Sequence, residues 1–240
     1  MESKAELKVD NRLARSDTTR QALMRAAEKL IAHNGIENVT TRDILTEAGQ
    51  KNTSALQYHF KNLKGLITEI HVERSDETQA KRAELLDAVL TGPDKPTLRQ
   101  ICGLMVQHVF DLARSRIDFR RYVKAFGHEL SLSETSALSK ATSQGGGGSS
   151  GQQVGTLLKD ALPCLDDGAY RRRMESAVRL CSASMYHQAR QPNAFRGKQS
   201  DLFFNSLLDA LVGLLSAPES DETRAIASSI DAPQADLAAR

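Results

Sequence analysis

Apolar residues recur with a helical period along most of the 240-residue chain. Stripes of apolar residues with this period occupy the N-terminal region and residues 97–115, 117–130, 152–162, 168–190 and 199–216. No segment shows the alternation of apolar and polar residues that a half-buried strand would have. We therefore predict an all-α protein. In the first stripe, apolar residues lie three or four positions apart and share one side of a helix: Ala22, Leu23, Ala26, Ala27, Leu30 and Ile31.

The second helix has clear boundary signals. Asn34-Gly35 ends the helix before it, because glycine adopts the left-handed conformation at little steric cost. Thr40 is a good N-cap and Asp43 falls in the first turn, where a negative charge is favourable. Gly49 ends this short helix.

The third and fourth helices follow closely. We predict that Asn52 caps a third helix running to about Phe60, and that Asn62 caps a long fourth helix ending at Thr91-Gly92-Pro93. The third helix should have one apolar and one hydrogen-bonding side. The apolar side holds Ala55, Leu56, His59 and Phe60, and the other holds Thr53, Ser54, Gln57 and Tyr58.

Two short helices joined by a tight turn on a first helix make a helix-turn-helix. Small Thr53 and Ser54 would let the third helix enter the major groove of DNA, where Gln57 can reach base edges and Tyr58 a phosphate. The net charge of the chain is only +2, so charge is weak evidence for a nucleic-acid partner. Arginines near the N-terminus could lie along the DNA backbone or enter the minor groove: Arg12, Arg15 and Arg20.

Residues 17–70 resemble the N-terminal DNA-binding domain of the TetR family of bacterial transcriptional regulators. The resemblance lies in the order and spacing of five short motifs: Asn34-Gly35, Val39–Ile44, Ala48-Gly49, Leu56–Phe60 and Lys64–Leu66. Ten residues separate Gly49 from Phe60, one more than in many members. The rest of the chain resembles the family only in helical pattern and length.

The resemblance implies a homodimer that binds a palindromic operator in double-stranded DNA, with the two third helices in successive major grooves. Among the implied contacts, we expect Gln57 to reach bases, and Tyr58 and Lys64 to reach phosphates. His59 has the alternative of a hydrogen bond within the domain. The full set of candidates is Thr41, Arg42, Lys51, Asn52, Thr53, Ser54, Gln57, Tyr58, His59 and Lys64.

The resemblance also implies a C-terminal helical bundle for ligand binding and dimerisation. The segment 202–215, LFFNSLLDALVGLL, is apolar on most sides, so it is either buried in its own subunit or shared with a second copy. We expect it to form a four-helix bundle with the helix Tyr170–Arg190 and the same helices of a partner; a monomeric core is the alternative. Candidate ligand contacts, which equally suit a plain core, are Met105, His108, Phe126, Cys181 and Met185.

Motifs for catalysis and metal binding are missing from the sequence. The six histidines and three cysteines lack metal-ligand spacing, and there is no P-loop or nucleophile elbow. We predict no enzyme, no metal and no cofactor. Three distant cysteines, no apolar leader and no membrane-spanning run predict a cytoplasmic protein without a membrane partner.

The predicted organisation has four parts: a flexible arm over residues 1–16, a helix-turn-helix domain over 17–62, a helical ligand-binding and dimerisation domain over 63–216, and a disordered tail over 217–240. Within it, SQGGGGSSG (143–151) is a flexible natural loop or an engineered linker. The predicted function is a dimeric repressor that an unknown small-molecule effector releases from its operator. The alternatives are a helical protein-interaction module and, more distantly, a small-molecule carrier.

Overall fold

The computed structural model describes residues 4–142 and 148–231, with side chains over 14–142 and 148–230. In those ranges every regular element is a helix, so the predicted all-α class is confirmed. The N-terminal part comprises α1 (Lys4–Asn34), a 3-10 turn (Ile36–Asn38), α2 (Thr41–Glu47), α3 (Ala55–Phe60) and α4 (Leu63–Leu90). The C-terminal part comprises α5 (Leu98–Ser115), α6 (Ile117–Phe126), α7 (Ala137–Ala141), α8 (Ser149–Ala161), α9 (Asp167–Ala189), α10 (Gly197–Ser216) and α11 (Asp221–Asp231).

Three predicted boundary signals of the N-terminal helices are confirmed. Gly35 follows α1 with a φ of +82°, which favours glycine. Thr40 and Asp43 form a reciprocal capping box at the start of α2. Asn62 caps α4 by accepting a hydrogen bond from the Gly65 amide at 2.8 Å.

Several predicted boundaries need correction. The third helix begins at Ala55, because Asn52 instead closes a preceding turn by accepting from the Ser54 amide at 3.0 Å. Residues 4–16, predicted as an arm, belong to α1, and residues 221–231 of the predicted tail form α11. The glycine-rich segment ends inside α8, which begins at Ser149. Residues 143–147 and 232–240 of those predictions lie outside the described residues.

The chain packs around two hydrophobic cores that meet at α6. The first core lies within α1, α2, α3 and the start of α4, and it also takes in Ala125 and Phe126 from the end of α6. The second core draws mainly on α5, α9 and α10, with Phe119 and Val123 from the same α6. Helix α1 packs directly against α6. The N-terminal domain is therefore joined to the bundle through α6 as well as through the continuous α4.

The apolar residues of α10 are used mainly within the chain, which is one of the two outcomes left open by the sequence. One large apolar side chain of α10 points outward: Leu202, which is 61% exposed. Four leucines are buried in the second core and four further apolar residues pack partly against it: Leu207, Leu208, Leu211 and Leu215, then Phe203, Phe204, Val212 and Leu214.

Within the described residues no single helix is both long enough and apolar enough to cross a membrane. Only α10 and Asp221–Ile230 taken together reach that length and apolarity, and this pair is bent by 61°.

Candidate functional site

The exposed surface of the N-terminal domain carries the side chains predicted to contact DNA. They lie at the start of α2, in the turn before α3, on α3 itself and at the start of α4. Nine are exposed and one, His59, is half-buried: Thr41, Arg42, Lys51, Asn52, Thr53, Ser54, Gln57, Tyr58, His59 and Lys64.

Helix α3 is seated by its apolar side. Ala55, Leu56 and Phe60 are buried in the first core. On the other side Gln57 is exposed, and Tyr58 is 77% exposed. The predicted division of α3 into a buried and an outward side is therefore confirmed.

A tight turn fixes how α3 leads into α4. The Asn62 amide donates to the Phe60 carbonyl at 2.8 Å across Lys61, whose φ is +67°. This is the uncommon, strained form of the γ-turn. A Cβ atom on Gly65 would lie 2.0 Å from the Phe60 carbonyl oxygen. The close approach of the two helices at this turn thus requires glycine at position 65.

His59 and Arg20 are engaged inside the domain. The Tyr58 and His59 rings meet edge to face, with centroids 4.9 Å apart. Burial, and then the charge of Arg20, lower the pKa of His59. Arg20 forms an ion pair with Glu69, and its guanidinium lies 5.7 Å from the centroid of the Phe60 ring. Arg20 therefore already has two partners within the domain.

The C-terminal bundle encloses a second candidate site, a cavity of about 450 Å³. Its wall comes from α4, α5, α6, α8, α9 and the region of α7, and most of its side chains are apolar. Volume and lining of this kind are typical of small-molecule sites. All five residues proposed from sequence as ligand contacts lie in this wall: Met105, His108, Phe126, Cys181 and Met185.

His108 is the most deeply buried titratable group of that wall. Its Nδ1 lies 3.2 Å from the Leu104 carbonyl oxygen, and only 5% of the residue is exposed. Burial, assisted by the positive charge of Arg82, lowers the pKa of His108 to about 3. The folded protein therefore holds a neutral imidazole at neutral pH.

This burial predicts an acid-dependent loss of stability. Between pH 6.5 and about 3, unfolded His108 binds a proton that the folded residue does not, so stability falls as the pH drops below 6.5. Below pH 6, wild type should lose stability relative to the His108→Gln variant. The difference between their free energies of unfolding should fall by about 1 kcal/mol per pH unit. Urea unfolding from pH 7.5 to 4.5 measures this difference. Parallel curves for the two proteins would contradict it.

Another part of the cavity wall is polar and faces the N-terminal domain. The Tyr122 hydroxyl of α6 lies 3.2 Å from His71 Nδ1 of α4, and His71 Nε2 lies 3.4 Å from Glu129 Oε1. The His71 and Phe126 rings meet edge to face at 4.9 Å. Phe126 belongs both to this wall and to the first core. The cavity and the helix-turn-helix therefore share a side chain.

A buried ion pair also joins the two parts. Arg74 of α4 donates from Nε and Nη2 to the two Glu28 oxygens of α1 at 2.8 and 2.9 Å. Its Nη1 reaches Glu77 at 2.8 Å and Asp118 of α6 at 3.1 Å. Burial opposes the charge of Arg74, but Glu28 and Glu77 outweigh it and raise its pKa. Arg74 and Glu28 are 0% and 1% exposed, so three helices are held by one charged cluster.

Sequence reasoning missed this ion pair, although a signal was present. Glu28 falls four residues after buried Met24, and Arg74 falls four residues after buried Ile70. Each charged residue thus occupies a position where the helical stripe calls for an apolar one. Two such residues on neighbouring helices indicate a buried pair.

No group of three or more His, Cys, Asp or Glu side chains suited to a metal ion occurs within residues 4–142 and 148–231.

A seated recognition helix on a three-helix unit, joined to a larger bundle with a cavity, is the architecture of a helix-turn-helix transcription regulator. Residues 23–70 match the family model for bacterial regulatory proteins, tetR family. They form a TetR-type N-terminal domain, and over 82% of its length the chain shares the fold of a solved TetR family transcription regulator. The resemblance predicted from sequence is confirmed.

Solved structures that are similar to this chain have low sequence identity to it. A TetR family transcription regulator from Marinobacter aquaeolei VT8 is 16% identical over 82% of this chain and 97% of its own, with a TM-score of 0.51. GusR of Salmonella enterica is 18% identical over 82% and 95%, with a TM-score of 0.49. RolR in complex with resorcinol is 16% identical over 87% and 98%, with a TM-score of 0.45. No curated protein matches the sequence.

Proposed function

We propose that the protein regulates transcription as a homodimeric repressor that binds a palindromic DNA operator and is released by a small molecule in the cavity. The observation that carries this proposal is the outward side of α3. Gln57 and Tyr58 project there from a helix whose other side is buried. Small, exposed Thr53 and Ser54 just before α3 allow a close approach to the groove.

The candidate side chains have complementary chemistry for DNA. The Gln57 amide can pair with adenine N6 and N7, which reads sequence. Tyr58 and Lys64 can donate to phosphates, which sets position. The N-terminus of α4 adds partly positive amides beside Lys64. Arg42 is exposed near the start of α2, which supports a contact with the DNA backbone, because the first helix of a helix-turn-helix crosses it.

A palindrome requires two copies with recognition helices about 34–36 Å apart. Most large side chains of α10 are used inside the chain. The outward surface of α9 and α10 instead offers Leu202 and the small residues Ala183, Ala210 and Gly213, all exposed. We propose that a partner packs on this surface, since small residues let helices approach closely.

Release by a ligand would pass through α6. Phe126 lies in the cavity wall and in the first core, and α1 packs against α6. A molecule that fits the cavity better when α6 is displaced would shift the population toward a dimer that no longer matches the operator. The ligand must prefer one arrangement for this to work.

The Gln57→Ala variant tests the direct contact with bases. Its affinity for the operator should fall by about 1–3 kcal/mol, with a smaller loss on a scrambled duplex of equal length. Fluorescence anisotropy against an operator obtained by selection from random DNA measures both. An equal loss on the two duplexes would mean that Gln57 does not read bases.

Lysine variants supply matched controls. Lys64→Ala should weaken binding to both duplexes alike and make the dependence on salt shallower by about one contact. Lys95→Ala removes the same charge from an exposed position between α4 and α5 and should leave affinity unchanged. An unchanged salt slope for Lys64→Ala would remove this residue from the phosphate contacts.

A further inference from the structure

We propose that the cavity binds a mainly apolar molecule bearing a hydroxyl group, and that this hydroxyl donates a hydrogen bond to Nε2 of His108. The effector role of such a molecule rests on the proposed function. Its chemical class rests on the cavity alone.

The tautomer of His108 follows from its hydrogen bond to Leu104. A carbonyl oxygen only accepts, so Nδ1, 3.2 Å from the Leu104 oxygen, must carry the hydrogen. The buried imidazole is neutral, because its pKa is lowered to about 3. Nε2 therefore has a lone pair and no hydrogen. No described residue donates a hydrogen bond to it.

The cavity wall near His108 is mostly apolar. Met105 and Val109 flank His108 on α5, and Cys181 and Met185 face the cavity from α9. Burial raises the pKa of Cys181 to about 12, so it is a thiol with only weak donor strength. Nε2 is not among the fully buried polar atoms that lack a partner, so a molecule in the cavity can reach it. A ligand that donates a hydrogen bond keeps this acceptor satisfied, whereas one that covers Nε2 with carbon leaves it unpaired, which is unfavourable.

The positive charge of Arg82 indicates that the hydrogen-bond donor of the ligand is a neutral group. Arg82 lines the same cavity, and its positive charge already acts on His108, which disfavours an ammonium group at this point. An ionised carboxylate has no hydrogen to give to Nε2. A hydroxyl donates a hydrogen bond without carrying charge. The volume of about 450 Å³ accommodates a ring with an alkyl chain.

Matched probes test the proposal: 4-hexylphenol and its methyl ether, 4-hexylanisole. In calorimetric titrations of the full chain without DNA, the phenol should bind roughly tenfold tighter or more, as expected for one buried hydrogen bond. His108→Leu should bind both probes with similar affinity. His108→Gln, which keeps an acceptor oxygen, should retain part of the preference. Leu132→Ala changes an exposed apolar residue outside the wall and should leave the preference unchanged.

Three results would overturn the proposal. The first is equal affinity of wild type for the two probes. The second is a folded His108→Leu variant that keeps the full preference for the phenol over the ether. The third is that neither probe binds wild type up to about 1 mM, the weak end of useful affinity. Operator binding measured in parallel separates the two proposals. A phenol that binds through His108 without releasing DNA would support this ligand class and reject the effector role.

Discussion

Replacing Glu28 with leucine should lower the free energy of unfolding by about 3–5 kcal/mol, because it leaves Arg74 buried without its bidentate partner. Arg74 is 0% exposed, and both of its nitrogens that face α1 bond to Glu28. Glu77 and Asp118 still reach Nη1, but they cannot satisfy Nε and Nη2. Urea unfolding followed by circular dichroism measures the loss.

Two further variants show whether the loss has this cause. The double variant Glu28→Leu/Arg74→Met removes both charges and should recover most of the stability, since no buried cation is left unpaired. Asp209→Asn breaks the exposed ion pair with Arg99 and should have little effect, because exposed pairs contribute less than about 1 kcal/mol. If Glu28→Leu were no more harmful than Asp209→Asn, the buried cluster would not be what holds α1, α4 and α6 together.

Replacing Gly65 with alanine should disrupt the α3–α4 turn and abolish specific DNA binding. The new Cβ would lie 2.0 Å from the Phe60 carbonyl oxygen, and a backbone atom cannot move aside without opening the turn. Overpacking of this kind costs about 1–3 kcal/mol or more. Because this turn sets the direction of α3, operator affinity should fall even at temperatures where the variant stays folded.

The matched control for this prediction is Gly155→Ala on α8. A Cβ at Gly155 meets nothing within 4 Å, so the change should be neutral or stabilise the helix by up to about 1 kcal/mol. Thermal unfolding and operator anisotropy are measured on both variants. Equal stability and affinity of the two alanine variants would contradict the role assigned to the turn.

Local signals in the sequence predicted local structure well. The capping box of Thr40 and Asp43, the Asn62 cap and the glycine after Asn34 each act within a few residues, so their effects can be read without knowledge of the fold. The two sides of α3 follow from helical period alone. The start of α3 was misplaced because Asn52 can cap a helix or close a turn with the same side-chain oxygen.

Features that depend on distant partners were less accessible. The pattern of α10 shows how wide its apolar surface is but does not reveal which surface covers it, so burial in its own chain could not be separated from dimerisation. Glu28 and Arg74 each interrupt an apolar stripe in the sequence, but that they pair with each other appears only when their helices are placed side by side. Met105, His108 and Met185 were proposed for the cavity by their chemistry, but a core has the same composition. Only the fold puts them around an open space.

The central claim is that two copies of the outward side of α3 read one DNA site. The direct test is selection of binding sites from random duplex DNA by the full-length chain, followed by the mass of the complex on the selected duplex. We predict an enriched palindrome with half-site centres about one helical turn apart, two chains per duplex, and loss of enrichment with Gln57→Ala. Enrichment of no sequence, or of an asymmetric site occupied by one chain, would contradict the account.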